Sequence, residues 1–110
     1  MENTTTARIR ALNDELRVNG RGGLVLVTRG LLEPGLPFAA RVRAAVARDT
    51  TFSQANDPYA EHDFGALDLD GDRIFWKIDY YDETRTQGSR DPSNPGITQR
   101  VMTIMLAEEY

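Results

Sequence analysis

The chain has 110 residues, 40% of them hydrophobic, and a net charge of −4. That length and apolar content fit one core, so the expectation is a single domain over residues 1–110. The apolar runs are too short to span a membrane, and there are no cysteines for disulfides, thiolate metal sites or thiol catalysis.

The charge is uneven. Residues 1–55 carry eight arginines and five acids, whereas residues 56–110 carry five basic residues and twelve acids. An acidic second half repels phosphate backbones, so direct nucleic-acid binding is not expected and a basic protein surface is the expected partner. The start lacks the basic and apolar regions of a signal peptide, which makes the cytoplasm the expected location.

Residues 1–6 read as a frayed polar lead. Ile9, Leu12 and Leu16 then recur at helical spacing over Ala7 to Val18, with Arg17 among the polar positions and one of Thr4 to Thr6 as cap. Asn19-Gly20 stops that helix. Leu24 to Thr28 is a valine-rich run that reads as a strand buried on both faces, and Arg29 to Leu36 reads as a loop. Pro37 suits the first turn of a second helix through Arg48, with Phe38, Val42, Ala45 and Val46 on its apolar face.

The strongest local signal follows. Leu67 and Leu69 alternate with acids, Asp70-Gly71 is a two-residue turn, and Ile74, Trp76, Ile78 and Tyr80 alternate beyond it. This predicts a hairpin over 64–70 and 73–80. Thr84 to Gly96 is a polar loop. Residues 97–110 fit either a strand or a helix, and the β-branched Val101, Thr103 and Ile104 favour a strand over 100–106. The expected fold class is α+β, with two helices packed on a mainly antiparallel sheet of about four strands.

Hairpin register places Asp68 opposite Arg73 and Phe64 opposite Lys77. One further step would set His62, the only histidine, opposite Asp79 near Lys77 and Tyr81. His62, Asp79, Lys77 and Tyr81 are therefore the candidate catalytic groups, with Asp79 orienting the base. Glu61, His62, Asp63 and Asp79 are candidate metal ligands, although no cofactor is expected. Asp68, Asp70 and Asp72, with the aromatic pair Phe64 and Phe75, are the candidate binding residues. Phe64 and Phe75 would be covered by a helix or exposed as a contact patch. Gly20 to Gly23 precedes its strand and so does not form a phosphate loop.

Asn56-Asp57-Pro58-Tyr59-Ala60-Glu61-His62-Asp63-Phe64-Gly65, Phe75-Trp76-Lys77-Ile78-Asp79-Tyr80-Tyr81-Asp82 and Arg100 to Tyr110 resemble the signature blocks of a family of short bacterial proteins. That family is catalogued only as a domain of unknown function, and the resemblance implies no cofactor or catalytic residue. With the acidic second half and no convincing nucleophile, it leads to an expected non-enzymatic interaction protein. An accessory factor of a mobile element that inhibits a nucleic-acid-handling machine, such as an anti-CRISPR, is the specific form expected. A small metal-assisted hydrolase or nuclease using His62 is the alternative.

Overall fold

The computed structural model describes residues 3–110. Met1 and Glu2, part of the predicted lead, lie outside the described residues. The rest of that lead is ordered helix: α1 spans Thr4–Asn19, and Asn3 is its cap, its side chain accepting from Thr5 N and Thr6 N. Gly20, at φ 70, ends it in the left-handed conformation that favours glycine.

β1 (Leu24–Val27) follows, then a single helical turn, α2 (Arg29–Leu32), where a loop was expected. Leu31 accounts for the difference, because the turn carries this side chain into full burial. α3 covers Leu36–Arg48, β2 Phe64–Leu69, β3 Asp72–Tyr81 and β4 Gln99–Leu106, with a 3-10 turn over Ala107–Glu109. The last segment is thus the strand its β-branched residues favour.

The four strands form one sheet in the order β1-β4-β3-β2. β1 runs parallel to β4, and the other neighbours are antiparallel. The fold is α+β, as expected. The hairpin turns at Asp70 and Gly71, with φ 54 and 86, and pairs Asp68 with Arg73 and Phe64 with Lys77. Both positive φ values are those a two-residue turn of the twisted-hairpin type requires.

One sheet face is covered by α1 and α3. Leu16, Val42, Val46, Ile74, Trp76, Met102 and Ile104 are fully buried there. Each such side chain contributes roughly 1.5–3 kcal/mol by leaving water. β1 departs from its expected burial on both faces: Val25 and Val27 pack on the core, while Leu24 and Leu26 are 40% and 50% exposed. A β1 strand at the sheet's edge, with helices on one face only, leaves every second side chain uncovered.

Among the described residues, no helix is long and apolar enough to cross a membrane.

Candidate functional site: the histidine cluster and the helix-free face

Arg17, expected on the wet side of α1, is 4% exposed. Its guanidinium donates to the carbonyls of Val46, Ala47 and Asp49, closing the end of α3, and to Asp14 Oδ1 at 3.2 Å. It also lies over the rings of Phe52 and Trp76. Asn13 donates to the Tyr80 hydroxyl at 2.8 Å, and Tyr80 donates to Glu61 Oε1 at 2.8 Å. Burial, reinforced by Glu61, pushes the Tyr80 phenol far above its ordinary pKa, so it stays protonated as a donor. Arg100, 2% exposed, donates from Nε to Asn13 Oδ1 and packs over the Tyr80 ring.

His62 belongs to this cluster and not to the sheet. Strand pairing of β2 ends at Phe64, and Asp63 O makes a last bond to Ile78 N. His62 has φ 55, which turns the chain out of the strand. Residues 87–89 then take over the edge of β3: Asp82 N donates to Gln87 O and Ser89 N to Tyr80 O. The expected apposition of His62 and Asp79 is therefore corrected.

The His62 ring stacks on Phe52 at 3.7 Å, Nδ1 lies 2.8 Å from Asp14 Oδ1, and Nε2 lies 3.8 Å from Asp57 Oδ2. The other Asp57 oxygen accepts from His62 N at 3.0 Å. The ring thus fastens the 49–63 segment to α1, with aromatic stacking and two carboxylates holding it.

The remaining candidates disperse. Glu61 binds Tyr80, Asp63 is partly buried beside the β3 edge, where its carbonyl accepts from Ile78 N, and Asp79 lies on the opposite sheet face, paired with Lys77 at 3.0 Å. Burial, then the nearby Glu61, raises the Asp63 pKa above its ordinary value. Among the described residues no three His, Cys, Asp or Glu side chains are grouped to hold a metal ion. Tyr81 follows Asp79 on the outer face of β3, remote in register from the histidine.

The acids of the second half are largely engaged. Asp68 pairs with Arg73 at 3.3 Å and Asp70 with Arg41 at 2.6 Å, and Asp82 accepts from Thr84 and Thr86 within its own turn. Asp72 stays exposed beside the turn. The hairpin end carries exposed carboxylates, but local cations offset two of them.

The helix-free sheet face is different. Leu24, Leu26, Val101, Thr103 and Met105 form the floor of a trough of about 670 Å³, bordered by the Lys77–Asp79 pair, Tyr81, Arg85 and Tyr110. Phe64 and Phe75 lie beside it with ring centroids 5.4 Å apart. A helix does not cover them. Tyr110 does so, edge-on at 6.4 and 5.7 Å. Its position is fixed by Glu109, which accepts from Thr28 Oγ1 at 2.6 Å, Leu106 N at 2.9 Å and Gly30 N at 3.1 Å. Those bonds, Thr28 first, hold the Glu109 carboxyl below its usual pKa.

A model of the family described as "Protein of unknown function (DUF3768)" matches residues 5–109. The chain belongs to this family. The match extends across both the histidine cluster and the helix-free face, so each lies within the family's domain and neither is an appendage to it. No curated protein matches the chain, and no solved structure does.

Sequence reasoning found Phe64, Phe75, Lys77 and Asp79 on one face. It missed Leu24 and Leu26, because a valine-rich run reads the same in a central strand and at an edge. It also missed Asn13 and Arg17. The signal was present, since Asn13 falls four residues after Ile9 and three before Leu16, within the apolar stripe.

Proposed function

We propose that this chain is a protein-binding module without a catalytic centre, and that the helix-free sheet face is its contact surface. The supporting observation is the apolar trough with Leu24 and Leu26 open to solvent. Sheets bury their apolar faces, and an uncovered one rimmed by polar groups marks a place where another molecule packs. The His62 cluster supports a structural role, because its groups are spent on one another: the imidazole on Asp14, Glu61 on Tyr80, Asp57 on the His62 amide.

The exposed carboxylates of Asp68, Asp70 and Asp72 add a charge preference. They favour a basic partner and steer its approach, since surface charge acts more on association than on final affinity. Inhibition of a nucleic-acid-handling protein is the form of this reading that the acidic second half supports.

A photo-crosslinking side chain at position 26, tested in the cells that make the protein, examines the contact surface. A protein adduct from position 26, with none from the more solvent-open position 36 at the start of α3, is expected. A nucleic-acid adduct, or no adduct at 26, would overturn the reading.

A further inference from the structure

We infer that the helix-free face is closed by a second copy of the same chain, packed face to face about a twofold axis running across the strands between Lys77 and Asp79. This rests on the reading that the face binds protein and names a second copy as the occupant of the face, which leaves the hairpin-end carboxylates of Asp68, Asp70 and Asp72 as a separate surface for a basic partner.

The sheet register carries the argument. Side chains on this face stand in cross-strand rows. Leu24, Val101 and Asp79 form one row, and Leu26, Thr103 and Lys77 form the next. A twofold axis between the rows exchanges them. Leu24 then meets the partner's Leu26 and Lys77 meets the partner's Asp79, each contact occurring twice, with the nearly buried Val101 between Leu24 and Asp79 in their row.

Charge complementarity follows from the i, i+2 spacing of Lys77 and Asp79. Their side chains are 38% and 36% exposed and 3.0 Å apart within the chain. Stacking two such pairs in opposite order gives four alternating charges, so each ammonium gains a second carboxylate. An axis parallel to the strands lacks this property, because it lays β3 on the partner's β4 and sets Lys77 against the partner's Thr103. Tyr110, which covers Phe75 within the chain, bounds this contact at its far end. Symmetric, self-complementary patches of this sort are the usual basis of homodimers.

The face is small. Four strands about 4.8 Å apart and some six residues long present roughly 400 Å² per protomer, which is the size of a weak, reversible contact. The contact is therefore expected to form and dissociate reversibly as protein concentration changes.

Sedimentation velocity over a wide concentration range tests the inference, with circular dichroism to confirm folding. The wild type is expected to pass from monomer to dimer, and Leu26→Glu to remain monomeric. Lys77→Asp presents carboxylates at both positions, and Asp79→Lys presents ammonium groups at both. Each should stay monomeric alone, while their equimolar mixture should dimerise. Loss of the intrachain ion pair alone predicts no such recovery on mixing.

A wild type that is monomeric throughout, single variants that dimerise as well as the wild type, or a mixture that stays monomeric would each overturn the inference. The crosslinking result separates this failure from that of the proposed function. A monomeric wild type whose position 26 captures another protein leaves the binding face standing and removes only the second copy as its occupant.

Discussion

The indole Nε1 of Trp76 donates to Asp49 Oδ2 at 2.9 Å, and the bond passes over the bare Cα of Gly65 on the neighbouring strand. A Cβ at Gly65 would stand 2.2 Å from Trp76 Nε1 and 2.6 Å from Asp49 Oδ2. Gly65→Ala must therefore displace the indole, the carboxylate or the strand. Overpacking together with a weakened buried hydrogen bond is expected to cost about 2–3 kcal/mol, read as a lower urea midpoint with an unchanged slope.

At Gly71 the space is open and the backbone is the constraint. A Cβ at this position would meet nothing within 4 Å, but φ is 86. Gly71→Val is expected to destabilise by about 1 kcal/mol or more through strain alone. Gly71→Asn should cost less, because asparagine tolerates the left-handed region. Equilibrium unfolding of the two variants compares them directly.

Asp63 gives a pH dependence with a defined sign. Its folded pKa is raised above the ordinary value, by burial first and Glu61 second. Folding thus disfavours its charged form. The associated stability is fully present below the unfolded value of about 3.9 and is lost as pH rises through the folded value. Asp63→Asn removes that loss. The variant is expected to gain thermal stability relative to wild type at pH 7 and to lose that advantage near pH 3.

His62 is expected to matter for stability. His62→Ala removes a ring stacked on Phe52 and a bond to Asp14, and should cost about 1–2 kcal/mol. Addition of Mg²⁺, Mn²⁺ or Zn²⁺ should leave the wild-type melting temperature unchanged. A metal-dependent rise that disappears in His62→Ala would favour the metal-assisted alternative instead.

Reversal of Asp68, Asp70 and Asp72 to lysine tests the charge preference. Association with a basic partner should slow and its salt dependence should flatten, with a smaller effect on dissociation. Because Arg41 holds Asp70 and Arg73 holds Asp68, Asp72→Lys is the variant least entangled with the fold. Stopped-flow association at two ionic strengths supplies the reading.

The sequence by itself determined the elements whose causes are local. Asp70-Gly71 sets the hairpin register, Gly20 ends α1, and alternation through Trp76 and Ile78 identifies the buried face of β3. Each depends on residues a few positions apart.

Tertiary structure decided what depends on distant groups. Asp14, 48 residues from His62, binds its ring, and residues 87–89 occupy the β3 edge that an extended β2 would have used. β1 pairs with β4 alone, so the edge position that exposes Leu24 and Leu26 is a property of the sheet order, which a five-residue apolar run does not encode. The uncovered face arises in the same way. Both long helices pack on one side of the sheet, and only their placement in three dimensions shows which alternate side chains are left uncovered.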